Sequence, residues 1–423
     1  MSTNISSVSR PEFGPEAFDP AFCDPELLCP RAATGDGDGQ PLVTPIVQST
    51  TFCRDGVGSE AEHQYSRVSN PTVSALEAVL GRLEDAPPAA CFSTGLAAEA
   101  ALFLSVLRAG DHVVCGRGVY GGTTRLLERV LADLGVSSTF VDARSPAEVE
   151  AAVRPTTKLI FVETPSNPTL DLTDIAAVSE IARAAGALLA VDNTFLTPVL
   201  QRPLDLGADV SIYSTTKFVE GHSVALGGAL VAKDEKLLER IRFLRKCTGA
   251  IQTPFNAWLT LQGVRTLALR IRRQSESAAE IAARLAGVPG VERVRHPSLF
   301  EGAEGRLAAR QHLALGGDRL HGAVVAFEVA GGLEGAREVT RRLRLCRVVE
   351  HVGSVETLVT HPASMTHADV SRAEREAVGI TDGLLRLSVG LEPAGAIAAD
   401  LEQAIAVGVG VGVDVRRGEA VAV

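Results

Sequence analysis

Asp209-Val210-Ser211-Ile212-Tyr213-Ser214-Thr215-Thr216-Lys217 is a short apolar run that stops abruptly at three hydroxyls and a lysine. The same pattern recurs on both sides of it. Lys158-Leu159-Ile160-Phe161-Val162 ends in Glu163, and Leu188-Leu189-Ala190-Val191 ends in Asp192. Further runs lie at 112–115, 138–141 and 229–232, and Ala89-Ala90-Cys91-Phe92 leads into a helical stretch through Leu107. Helical periods such as 174–185 fall between the runs. Strands that are apolar throughout and alternate with helices predict an α/β fold with a mostly parallel sheet covered on both faces. In such a sheet ligands bind beyond the carboxyl ends of the strands, so the residues ending each run are the candidates for chemistry.

Around this sheet the 423 residues divide into three parts. Residues 1–64 read as an arm, with the first 40 rich in Pro, Asp and Gly and expected to be poorly ordered. Residues 65–270 form the large domain, and 271–423 read as a smaller C-terminal α/β domain with strands at 323–329 and 384–389 and helices at 334–343 and 396–407. A long helical stretch, 254–285, leads out of the large domain with Arg265, Arg270, Arg272 and Arg273 on its polar side. The Gly/Val-rich tail from Gly408 carries no signal.

Composition narrows the partners. With 46% hydrophobic and 22% charged residues the chain can bury a core, and a net charge of −10 offers no basic field for nucleic acid or anionic lipid. No apolar run approaches a membrane span and the start is polar, so a cytoplasmic protein is expected. The seven cysteines are scattered, which reads as free thiols with no metal site.

Lysine is rare, at 158, 217, 233, 236 and 246 only. Lys217 differs from the rest: it follows three hydroxyls and precedes Phe218-Val219, then Gly221-His222-Ser223. A desolvated amine attacks carbonyl compounds, and hydroxyls hold phosphate. Together they suggest an aldehyde bearing a phosphate, pyridoxal 5'-phosphate. Asp192, taken alone, reads equally well as a loop-capping carboxylate.

The stretch 209–223 resembles the cofactor-attachment motif of the Cys/Met-metabolism pyridoxal-phosphate enzymes, which include cystathionine γ-synthase, cystathionine γ-lyase, methionine γ-lyase and the O-acylhomoserine sulfhydrylases. Further segments resemble the family in order: Pro45-Ile46 to Thr51-Phe52, Tyr65-Ser66-Arg67 with Asn70-Pro71-Thr72, Ser93-Thr94-Gly95, Tyr120-Gly121-Gly122-Thr123, Glu163 to Pro168 and Arg386 to Glu392. The resemblance spans about 41–407 and implies the fold-type I architecture of these enzymes.

It also implies roles. Lys217 forms the Schiff base with the cofactor and shuttles protons, Asp192 keeps the pyridine nitrogen protonated, and Tyr120 stacks on the ring and serves as a second acid/base. The amides of Gly95 and Leu96, with Ser214 and Thr216, face the phosphate. Asn167 sits beside the phenolic oxygen, and Arg386 clamps the substrate carboxylate. Tyr65 and Arg67 reach a neighbouring subunit's phosphate, which implies a homotetramer, a dimer of dimers with shared active sites.

The implied reaction is γ-elimination or γ-replacement on a homoserine- or cystathionine-type amino acid: Cα then Cβ deprotonation, then loss of the Cγ substituent. Methionine γ-lyases tend to carry Cys where this chain has Gly122. Glu350 and Arg125 favour a cystathionine-like zwitterionic substituent, although each alone also reads as a surface ion pair. The alternatives are methionine γ-lyase or O-acylhomoserine sulfhydrylase activity, or a specialised family member with an unusual Cγ substituent or nucleophile. A nicotinamide-dependent dehydrogenase is disfavoured, because Thr94-Gly95 does not extend to Gly-x-Gly-x-x-Gly and Lys217 would go unexplained. A non-catalytic cofactor binder is the third class.

One position departs from the family. Where a Ser-Leu-Gly segment places a serine that tethers the catalytic lysine, this chain has His351. An imidazole can hold Lys217 through a ring nitrogen, but it also narrows the substrate space and adds an acid/base group near Cγ. On this reading ordinary cystathionine and O-acylhomoserine are poor substrates, and His351→Ser improves both. The alternative is that His351 turns aside and Ser354 or a water fills the role.

Overall fold

The computed structural model describes residues 24–33, 38–368 and 370–409. Seven strands form one sheet: β1 (Ala90–Phe92), β2 (His112–Gly116), β3 (Ser137–Val141), β4 (Thr157–Glu163), β5 (Leu188–Asp192), β6 (Val210–Tyr213) and β7 (Gly228–Ala232). Their order is β1-β7-β6-β5-β4-β2-β3. The pairs from β3 to β6 are parallel, and β7 runs against both of its neighbours. The apolar runs thus form the mostly parallel sheet expected of them.

Alternate side chains of β4 feed opposite faces, as a period of two requires. Leu159 and Phe161 join Leu102, Phe103 and Ile241 on one side. Ile160 and Val162 pack with Ile175, Val178 and Ala182 on the other. The helix Ile175–Ala185 is capped by Asp174, whose carboxylate accepts the Ala177 amide, and is ended by Gly186 at φ 62°, where glycine avoids the Cβ clash.

The second sheet has five strands, in the order Arg347–Val348, Leu358–Thr360, Leu384–Ser388, Val324–Val329 and Val291–Arg295. Helices Gly332–Arg342 and Ala394–Gly408 cover it. The stretch expected as one helix over 254–285 is two, Pro254–Val264 and Leu267–Leu285. The second helix bridges the sheets: Leu267 and Ile271 pack in the large-domain core, while Ile281 and Leu285 pack under the second sheet. The division drawn at 270 from sequence falls within this helix.

Two sequence expectations are corrected. Arg270 is buried rather than on a polar side, because carbonyls from two segments meet its guanidinium: it donates to Gly263 at the break between the helices and to Phe218 and Val219 after Lys217. Residues 24–33, expected within a poorly ordered arm, form a helix at Pro25–Leu28 and bury Cys29 and Ala32 in the core beside Leu76 and Ile271. Leu28 and Ala33 pack against the same core. The remainder of the Pro/Asp/Gly-rich start (1–23 and 34–37) and the tail from 410 lie outside the described residues. Among the described residues, no helix is long and apolar enough to cross a membrane.

Candidate active site

The polar residues ending β4, β5 and β6 converge at one edge of the sheet. Asp192 and Glu163 are paired in register across β5 and β4. Asp192 accepts the Thr194 amide at 2.9 Å, and Thr194 Oγ1 accepts the Ser214 amide at 2.9 Å, which ties the β5 and β6 ends together. Glu163 accepts the Tyr120 amide at 2.7 Å, and a third acid, Glu99, accepts the Thr123 hydroxyl at 2.7 Å. Burial raises all three carboxyls, and the negative charge of Asp192 adds to the effect on the other two; Glu99 is pushed up to about 8. No ion pair to Asp192 exists among the described residues, so this buried acid lacks a cation that a protonated pyridine would supply.

Beside it the helix Gly95–Val106 begins. Thr94 caps it by accepting the Ala97 amide, so the amides of Gly95 and Leu96 have no intrahelical partner. A Cβ at Gly95 would lie 3.0 Å from Ser214 Cβ, and one at Gly228 would strike the Thr94 carbonyl, so both glycines permit the close approach that shapes a phosphate cradle. Thr216 is less available than expected: its hydroxyl already donates to the Gly227 carbonyl and accepts the Gly227 amide.

Lys217 follows in a tight turn, with its amide donating to the Ser214 carbonyl. Arg270 holds the next two carbonyls, and Gly353, at φ 89°, packs so closely that a Cβ would press into the Lys217–Phe218 backbone. Burial and the nearby Arg386 lower the Lys217 amine to about 8, partly offset by Glu350. The amine nitrogen lies 3.3 Å from His351 Nδ1. His351 has not turned aside, and Ser354 Oγ instead accepts the Glu356 amide.

Arg386 is buried in the centre of the second sheet. Its guanidinium donates to Asn167 Oδ1 at 2.7 Å, the His351 carbonyl at 2.9 Å and Thr360 Oγ1 at 3.0 Å. Its Nε is buried without a hydrogen-bond partner among the described residues, a donor left for a ligand. A hydrogen-bonded chain therefore runs from Lys217 through His351 and Arg386 to Asn167.

Tyr120 is partly exposed, with its ring folded over Gly122, where a side chain would collide with it. Arg125 lies one turn on, against Gly121. Tyr65 and Arg67 lie apart from this assembly. The Arg67 guanidinium sits 5.4 Å from the Tyr65 ring centroid and donates to the Lys246 carbonyl at 2.8 Å. Among the described residues no hydrogen bond, ion pair or ring contact joins either to Lys217, Ser214 or Gly95.

Sequence reading missed Thr360, Gly353 and Arg270 as supports and gave Glu163 and Glu99 no site role. Glu163 was recognisable as the strand-end neighbour of Asp192. Arg270 carried no signal, because four arginines share its stretch and only the helix break singles it out.

Residues 32–406 match the Cys/Met metabolism PLP-dependent enzyme family. Cystathionine gamma-lyase of Bacillus subtilis is 41% identical over 379 residues, covering 90% of this chain and 98% of that protein. Cystathionine gamma-synthase of Mycobacterium bovis is 42% identical over 89% of this chain and 94% of its own length. The crystal structure of cystathionine gamma synthase from Xanthomonas oryzae pv. oryzae in complex with cystathionine superposes with a TM-score of 0.87 at 39% identity, covering 91% of this chain and 98% of that one. The parallel sheet, the lysine after its β6 strand and the matched span agree: the chain belongs to the pyridoxal-phosphate-dependent Cys/Met-metabolism enzyme family.

Proposed function

We propose that this chain catalyses pyridoxal-phosphate-dependent γ-elimination or γ-replacement on an amino acid of the homoserine or cystathionine type. The observation that carries the reading is the chain Lys217–His351–Arg386–Asn167, which sets a depressed amine beside a buried guanidinium whose Nε has no partner among the described residues. When bound, pyridoxal phosphate supplies an electron sink for negative charge developing at the substrate Cα. Asp192 would hold the ring nitrogen in its protonated form, the amides of Gly95 and Leu96 with Ser214 would hold the phosphate, Thr216 would brace that cradle through Gly227, and Asn167 would meet the ring oxygen. Arg386 orients the substrate by its carboxylate, so that the amine of Lys217 takes the proton from Cα. Tyr120 would cover the ring and move a second proton.

Glu350 acts on both Lys217 and Arg386 electrostatically, which supports a distal ammonium on the substrate. With Arg125 for a distal carboxylate, that favours a cystathionine-like substituent over the methylthio group of methionine. The close seat of Tyr120 on Gly122 adds to this preference. Tyr65 and Arg67, joined to neither Lys217, Ser214 nor Gly95 by a hydrogen bond, ion pair or ring contact among the described residues, would complete a neighbour's phosphate site in a dimer of dimers. Residues 65–270 act as the cofactor-binding domain and 271–423 as the domain that carries the carboxylate clamp. The six described cysteines are free, in keeping with work in the reducing cytoplasm.

Release of 2-oxobutanoate from cystathionine, O-acylhomoserines and methionine tests the proposal. Cystathionine is expected to exceed methionine. Bound cofactor with no turnover of any of them would make the protein a non-catalytic binder.

A further inference from the structure

His351 is held from both sides of its backbone. Its carbonyl accepts from Arg386 Nη2 at 2.9 Å, and two residues on the Gly353 amide donates to Ser388 Oγ at 2.8 Å. The side chain therefore has a fixed seat, and Nδ1 lies 3.3 Å from Lys217 Nζ. The other ring nitrogen, Nε2, is buried and has no partner among the described residues.

These contacts define the proton positions. Burial, Lys217 and Arg386 push the imidazole down to about 4, and Glu350 acts on both of those cations, so the ring is neutral at neutral pH. An ammonium has donors only, so Nδ1 accepts from Lys217 and the ring proton resides on Nε2. A buried N–H without a partner costs about 1–3 kcal/mol unless a ligand completes it.

Building on the proposed γ-chemistry, we propose that His351 is a catalytic residue that relays a proton from Lys217 to the substituent leaving Cγ. Lys217 has taken the Cα proton and is an ammonium. As the Cγ–X bond breaks and X keeps the electron pair, an N–H bond breaks at Lys217 and forms at Nδ1. In the same step the Nε2–H bond breaks and its proton goes to X, giving XH. The ring then resets through solvent: Nε2 takes a proton from water as the Nδ1 proton leaves to water by way of the Lys217 amine, so that Lys217 ends as the neutral amine with which the sequence began. The hydroxyl of a serine is too short to span both positions. Tyr120 and Glu350 remain in place for the steps at Cβ and for substrate selection.

The relay separates substrates that the sequence reading grouped together. A leaving carboxylate, as from an O-acylhomoserine, needs no proton, whereas a thiolate or alkoxide does. His351→Ser then spares or improves the former and impairs the latter.

The test uses the holoenzyme with O-arylhomoserines whose leaving groups run from nitrophenol to phenol, in wild type, His351→Gln and His351→Ser. The relay predicts a shallow dependence of kcat/KM on leaving-group pKa in wild type and a steep one in both variants. The loss should reach about 10²-fold for the phenol member and stay within about threefold for the nitrophenol member. A second readout needs no turnover: 15N NMR of the apoprotein should show His351 protonated at Nε2 and bare at Nδ1, with the Nδ1 shift changed by Lys217→Ala. Equal slopes in all three proteins, or a proton on Nδ1, would overturn the relay. Wild type that turns over no member of the series would instead overturn the proposed function.

Discussion

Two regions bearing site residues differ in how far one chain completes them. Around Lys217 the side chains are joined in one connected set: the amine to His351, the His351 carbonyl to Arg386, and Arg386 to Asn167 and Thr360. Around Tyr65 and Arg67 the tyrosine is 41% exposed, and among the described residues the guanidinium meets that ring and donates to a carbonyl of the helix Glu235–Thr248. Exposed contacts of this kind contribute little to the fold. On the proposed reading, the contrast separates a lysine, histidine and arginine set assembled within one chain from a tyrosine and arginine pair that would add to a neighbour's phosphate site.

The strongest way to break this comparison is subunit mixing. Lys217→Ala and Arg67→Ala are each expected to lose at least about 10²-fold in activity. Mixed and allowed to exchange subunits, they should regain a part of it, because some hybrid sites combine an intact Lys217 with an intact Arg67. Exchange without recovery would return Arg67 to its own chain.

Next in size is Arg386→Gln, which sharpens the Lys217 side. Losing a charge-assisted bond to the substrate carboxylate is expected to raise KM by about 10-fold to 10²-fold. The same variant makes a pH prediction. Cofactor capture requires the neutral amine of Lys217, so capture by the apoprotein should rise with pH through about 8. Removing the Arg386 cation takes away one influence that lowers this amine, so the rise should move to higher pH, as read from the rate of cofactor absorbance change. An unmoved profile would mean that burial alone sets the amine.

The smallest expected effect is Thr360→Val. It removes one of three acceptors of the Arg386 guanidinium and should cost about fivefold in kcat/KM, with most of the loss in KM. A similar loss in a substitution at Tyr65 would blur the division between the regions.

The sheet was legible because buried parallel strands are continuous apolar runs, and the polar residues that stop them are the ones that meet ligands. Lys217, Asp192 and Glu163 were thus visible as strand ends. The contacts between the sheets were not. Arg386 meets Thr360 because Leu384–Ser388 pairs with Leu358–Thr360 in that register, and it meets the His351 carbonyl through the loop before Leu358. Such proximity depends on antiparallel pairing across intervening chain, for which no local pattern exists. Arg270 failed for a related reason: its burial follows from a helix break near Thr266, and no proline marks that break. Cys29 and Ala32 were masked by the Pro/Asp/Gly bias around them, although with Leu28 and Ala33 they seat the turn against the core.

The most direct test of the whole account is the site of covalent cofactor attachment. The protein reconstituted with pyridoxal phosphate is reduced with borohydride, digested and mapped by mass spectrometry. The account predicts a yellow protein that loses its visible absorption on reduction and carries the reduced cofactor on Lys217. A label on Lys158, Lys233, Lys236 or Lys246, or no bound cofactor after reconstitution, would contradict it.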